Sequence, residues 1–135
     1  MSKYENYRAN LEVLRRAPEQ DLANAFVQSG IIDKFTTQFE LSWKLLRKTL
    51  AHEGYSNAAT GSPRGILKAA YAAYDFIDED IWLAMLADRN AAEHVYDSKL
   101  AERLVQSILA DYIAIFDALL DRLEGLYEAD VLATF

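Results

Sequence analysis

Between residues 32 and 50 the large apolar side chains fall at Ile32, Phe35, Phe39, Trp43, Leu46 and Leu50, always three or four positions apart. That spacing lines one face of a helix and cannot line the face of a strand, which repeats every two residues. A second run, Leu104, Ile108, Tyr112, Ile115, Leu119, Leu123 and Leu126, steps the same way. It has the length and pattern of a bundle helix packed along most of one side. Only 5 Gly and 2 Pro occur in 135 residues, so the chain has few places to turn. No stretch sustains strand-like alternation, and there is no internal repeat or low-complexity segment. These features predict an all-α fold, an antiparallel up-and-down helical bundle of four to five helices. It forms one domain over residues 1–135, with residues 128–135 expected as a flexible tail.

The breakers and caps divide the bundle. Pro18 separates a first segment, residues 2–16, from a longer helix that ends at Gly54 with His52 in its last turn. Gly30 weakens a helix interior, which suggests that the helix proper begins near it. Ser62-Pro63 reads as an N-cap followed by proline at the first helical position, opening a third helix through Tyr74. Asp78-Glu79-Asp80 opens a fourth, its carboxylates suiting the positive end of the helix dipole. Asp97-Ser98 caps the fifth. Phe35, Phe39 and Trp43 read as core, and Tyr4, Tyr7, Tyr71 and Tyr74 as packing or interface residues.

Composition removes several chemistries. With no cysteine, disulfide scaffolds, thiolate metal sites and thiol catalysis are excluded. An apolar fraction of 52% is core-forming rather than disordered. The longest apolar runs fall far short of the ~20 residues that cross a bilayer, and the charged N-terminus is no signal peptide. A cytoplasmic protein without membrane contact is expected. The net charge of −7 argues against a broad nucleic-acid-binding surface. The charge is uneven, however. Residues 30–70 carry Lys34, Lys44, Arg47, Lys48, Arg64 and Lys68 against Asp33, Glu40 and Glu53, so a local basic surface remains open.

The densest group of reactive side chains is Asp88-Arg89-Asn90-Ala91-Ala92-Glu93-His94-Val95-Tyr96. On a continuous helix Arg89 and Tyr96 would point within about 20° of each other, and Asn90 and His94 would share the neighbouring face. A guanidinium, a carboxamide, an imidazole and a phenol would then line one side. Such a set lacks the carboxylates of a divalent-metal site. It has what is needed to hold a phosphate oxyanion on arginine and move a proton on histidine. The plainer alternative is a capping and salt-bridge network at a helix end. No Gly-rich phosphate loop and no aspartate pair for magnesium are present, so the chain is not itself a nucleotidyltransferase and no cofactor is expected.

Three blocks carry a resemblance: Phe35 to Lys44 with its Phe39-Glu40-Leu41-Ser42-Trp43 core, then Ser62-Pro63-Arg64, then Trp82 to Asn90 followed by His94-Val95-Tyr96. In this order and spacing, over residues 5–127, the chain resembles the nucleotidyltransferase substrate-binding protein family of the HEPN superfamily. The resemblance implies a small helical bundle that forms a homodimer and pairs with a separately encoded minimal nucleotidyltransferase. In related pairs the helical protein is a toxin, a metal-independent endoribonuclease. Its partner silences it by transferring AMP to the motif tyrosine. Carried over, Arg89 and His94 are catalytic, Asn90 is the polar residue that follows the arginine, and Tyr96 is the modification acceptor. RNA is then a further partner.

Metal-free RNA cleavage needs a base, an acid and a cation on the phosphorane. One motif supplies one histidine and one arginine. Two motifs facing across a dimer axis would supply two of each, which places the expected site at a homodimer interface. Two other functions fit the sequence: a non-catalytic subunit that presents a substrate to the nucleotidyltransferase, and a structural oligomerisation module.

Overall fold

The computed structural model describes residues 1–55, 61–94 and 97–135. All of its regular structure is helical among those residues. The elements are α1 (Lys3–Leu14), a 3-10 turn (Ala17–Glu19), α2 (Ala25–His52), α3 (Pro63–Ala73), α4 (Glu79–Ala92), α5 (Ser98–Ser107), a π-turn (Ile108–Tyr112), α6 (Ile113–Leu126) and α7 (Ala129–Leu132). The all-α bundle read from the sequence is therefore correct. Its fifth helix is α5 and α6 joined through the π-turn, and α7 is additional.

Helix α2 is the central element, with α1, α3, α4 and α5 packed on it. Helix α1 lies antiparallel to it, fixed by buried polar contacts rather than by apolar packing alone. The Asn10 side chain donates to the Lys34 carbonyl at 2.9 Å and to Gln38 Oε1 at 2.7 Å, and Gln38 Nε2 donates to the Tyr7 carbonyl at 3.2 Å. Gln38 is fully buried, so these bonds satisfy groups that would otherwise cost ~1–3 kcal/mol each. Helix α4 also runs against α2, since Trp82 meets Phe39 while Ala92 and Glu93 line one cleft with Ile32 and Asp33. The α5–α6 helix runs parallel to α2, with Phe35 stacked on Tyr112 and His52 against Tyr127. This alternation of α1, α2, α4 and α5–α6 is the up-and-down order.

The expected caps are in place. The side chains of Ser62, Asp78 and Asp97 accept from Gly65, Asp80 and Ile81, and Lys99 backbone amides respectively. Gly54 lies one residue past the C-cap of α2 with φ 90°. Its amide donates to Ala51 and that of Tyr55 to Leu50, the pair of bonds that defines a Schellman ending. The beginning of α2 differs from the expectation at Gly30. The cap is Asn24, whose Oδ1 accepts from the amides of Phe26 and Val27, and Gly30 lies inside the helix. A cap earlier in the chain and five residues of continued helix outweigh one glycine's ~1 kcal/mol.

Two further corrections concern the C-terminal third. The stripe expected through Ile115 and Leu126 passes instead through Phe116, which is fully buried, while Leu126 is exposed. The π-turn inserts an extra residue into the helical count and turns every later side chain by ~100°. Phe116 thereby enters the core against Phe35 and Trp82, and its carbonyl accepts from the Tyr7 hydroxyl at 2.7 Å. Residues 128–135, expected as a flexible tail, form α7 and bury Leu132 and Phe135. Phe135 packs on His52 and Tyr127, and its carbonyl accepts from the Lys3 amide at 3.2 Å. No described helix is long and apolar enough to cross a membrane.

Candidate functional site

The motif begins on α4 and leaves it. Arg89 and Asn90 occupy the last helical turn, Glu93 is the C-cap, and His94 stands in the turn beyond, its amide donating to the Ala91 carbonyl at 2.9 Å. The continuous helix assumed for the motif therefore ends at Ala92, and His94 is not placed by helical geometry relative to Asn90. Tyr96, the expected modification acceptor, lies outside the described residues.

Arg89 is held from three sides. Its Nη2 forms an ion pair with Glu40 Oε1 of α2, its Nη1 donates to Asn90 Oδ1 at 2.7 Å, and the guanidinium carbon lies 5.8 Å from the centre of the Phe39 ring. Glu40 is itself fixed: Trp43 Nε1 donates to its Oε2 at 3.0 Å, and Lys44 Nζ is 3.8 Å away. Both Arg89 and Glu40 are about two-thirds to three-quarters covered, with side-chain exposures of 26% and 32%. Partial burial strengthens such a pair over its solvent-exposed counterpart. A guanidinium suits this setting because it is planar, takes bonds on two edges and stacks on an aromatic face.

On the other side of the α4 end is an open cleft of about 310 Å³. Asp88, Ala91 and His94 form one wall, and Leu100, Arg103 and Ser107 of α5 stand on the other. Asp88 is anchored from below, its Oδ2 accepting from the Tyr112 hydroxyl at the end of the π-turn. Burial, and then the Asp88 carboxylate, hold the Tyr112 phenol well above its ordinary pKa, so it remains a donor. His94 is solvent-exposed at the mouth. The structure thus brings Arg89 and Asn90 together, and places His94 on a cleft whose facing cation is Arg103.

Three contributors had no role in the sequence reading. Glu40 was visible only as an acid in a basic stretch and as part of the Phe-Glu-Leu-x-Trp block. Its i,i+4 partner Lys44 pointed to a local helix pair rather than to Arg89. Asp88 was part of the dense cluster, but its link to Tyr112 spans 24 residues and leaves no periodic trace. Arg103 sat among acidic neighbours and had no marker at all.

Fold and site together define a helical bundle in which the arginine at the end of α4 is anchored by a carboxylate on the central helix. Residues 2–125 match the family described as nucleotidyltransferase substrate binding protein like, and the chain belongs to that family. No curated protein matches it significantly.

Proposed function

We propose that this chain is the helical partner of a separately encoded minimal nucleotidyltransferase and acts as a metal-independent endoribonuclease toxin. Its activity is silenced by transfer of AMP to Tyr96. The observation that carries this reading is the arginine–histidine turn itself. Arg89 is fixed by Glu40, Asn90 and Phe39, while His94, five residues on, opens onto a cleft with an arginine on its facing wall. A structural module has little use for an exposed histidine on a cleft. A ribonuclease uses the imidazole to move the proton of the attacking 2′-hydroxyl and cations to stabilise the phosphorane. A homodimer that brings two such turns together supplies the base and the acid from separate histidines. An AMP group on Tyr96, two residues from His94, adds negative charge and bulk beside that turn.

Two measurements test the reading. His94→Ala is expected to abolish RNA cleavage and growth inhibition while leaving the helical circular dichroism unchanged. Incubation with the partner nucleotidyltransferase and ATP is expected to add one AMP mass to a peptide containing Tyr96, and Tyr96→Phe to remove it. The non-catalytic reading, a subunit that presents a substrate, is favoured by the ion pair that already neutralises Arg89. It predicts that His94→Ala leaves growth unchanged and alters only partner-dependent nucleotidyl transfer.

A further inference from the structure

Gly30 lies inside α2 with a negative φ, and a Cβ built on it would meet nothing within 4 Å. Neither a turn nor a close neighbour requires glycine there, although glycine weakens a helix interior. What the missing side chain leaves is a gap in a cleft of about 330 Å³ between α2 and the end of α1. Val13, Leu14, Ala17, Val27 and Ile31 form its apolar walls. Phe26, one turn before Gly30 on the same face of α2, is 89% exposed, and Val13 of α1 is 45% exposed.

The charge at this cleft is opposite to that of the chain. The protein has 21 acidic and 14 basic residues, and four other surface clefts each carry at least one carboxylate. The Gly30 cleft has Arg16 on the α1 side, Lys34 on the α2 side and no acidic side chain. Phe26, Gly30 and Lys34 follow one another at steps of four, so one edge of α2 presents a ring, a gap and a cation. A phosphate backbone would leave the aliphatic walls unfilled. A second copy bound through the same face would bring four cations together. An acidic helix with an apolar face satisfies both halves of the surface.

We propose that this cleft is the docking surface for the nucleotidyltransferase. The enzyme seats an acidic helix there, with an apolar side chain in the gap at Gly30 and carboxylates against Arg16 and Lys34. Phe26 packs on that helix as the aromatic anchor of the interface. The identity of the occupant rests on the partner reading above, which the cleft deepens by stating where the two proteins meet. The next residues of α2, Ile32 and Asp33, line another cleft with Ala92 and Glu93 at the end of α4. Only the width of α2, ~10–12 Å, then separates the docked enzyme from the end of α4, a short reach for an enzyme acting on the motif beyond it.

The full chain is titrated with the nucleotidyltransferase by isothermal calorimetry at low and high salt, and circular dichroism checks the fold of each variant. A saturable complex that weakens as salt rises is expected. Gly30→Leu fills the gap and is expected to weaken binding about tenfold or more while raising Tm, since leucine is the better helix former. Phe26→Ala, a change at an exposed ring, is expected to weaken binding about tenfold with Tm unchanged. Arg16→Glu combined with Lys34→Glu is expected to weaken it more than about tenfold and to remove most of the salt dependence. Lys68→Glu, a charge reversal on the exposed side of α3, is expected to change affinity by less than about threefold. Gly30→Leu and Phe26→Ala proteins that bind the enzyme at least as tightly as the parent overturn the proposal and leave the partner reading standing. Self-association of the chain alone, followed by analytical ultracentrifugation and lost in the same two variants, would make the cleft an interface between copies and also overturn it. A parent chain that forms no complex with the enzyme removes the partner reading, and the proposed occupant with it.

Discussion

Glu40 of α2 and Arg89 of α4 form an ion pair across 49 residues of chain, and the same carboxylate accepts a hydrogen bond from Trp43. The pair joins the Phe-Glu-Leu-x-Trp block to the Arg-x4-His motif: Phe39 lies under the guanidinium, Glu40 holds it, and Trp43 orients Glu40. Two blocks that look independent in the sequence are one contact in the fold.

Glu40→Gln and Arg89→Gln are each expected to lower stability by about 1 kcal/mol, with a coupling energy of similar size in the double variant. Urea unfolding of the four proteins in the cycle measures it. Additive single effects would mean that the two residues do not interact in solution.

The π-turn sets the phase of α6, so neighbouring side chains should differ sharply. Phe116→Ala is expected to cost about 3–5 kcal/mol, since it empties the contact with Phe35 and Trp82. Ile115, only partly buried, is expected to cost less than half of that on substitution by alanine. Equal losses in equilibrium unfolding would contradict the shifted register.

The end of the chain is also part of the core. Leu132→Ala is expected to cost about 2–5 kcal/mol, the range for a fully buried leucine, rather than the near-zero effect of a change in a solvated tail. Thermal and urea denaturation of the full chain decide between the two.

Several phenols are held neutral by burial. Tyr74 is pushed up to about 12 by burial and then by the Glu53 carboxylate, against 10.0 for the free side chain. Tyr7, Tyr112 and Tyr127 are raised further, each chiefly by burial. The folded state therefore keeps protons that the unfolded chain loses above pH ~10. Stability is expected to be fully present below pH ~10 and to fall as pH rises through the folded values. Unfolding curves across the alkaline range, with phenolate absorbance recorded in parallel, measure both. Stability that rose over that range would refute the sign.

How much of the molecule is legible in its sequence depends on the range of the interactions involved. Helix faces such as Phe35, Phe39 and Trp43, and caps such as Ser62, Asp78 and Asp97, depend on neighbours within one or two turns, and these were legible. Asn24 was missed because Gly30 gave a stronger local signal than a single asparagine between two alanines. Ile115 stood on the stripe in place of Phe116 because a π-turn keeps its residues helical and shows itself only in the phase of the residues after it. In the candidate site, Arg89, Asn90 and His94 stood out by residue type. The groups around them did not, because Glu40 reaches Arg89, and Tyr112 reaches Asp88, through tertiary contacts, and Arg103 faces His94 from another helix.

The π-turn at Ile108–Tyr112 has one more consequence. A single deletion inside it could let the segment wind as ordinary α-helix, swinging Phe116 away from Phe35 and releasing Tyr112 from Asp88 together. The wide turn works as a vernier between the two ends of the molecule. It lets one helix meet the end of α4 with its first half and the hydrophobic centre with its second, although the two halves require different angular settings. Within those five residues an indel is therefore a heavier change than most substitutions, because it resets the angle of every side chain after it.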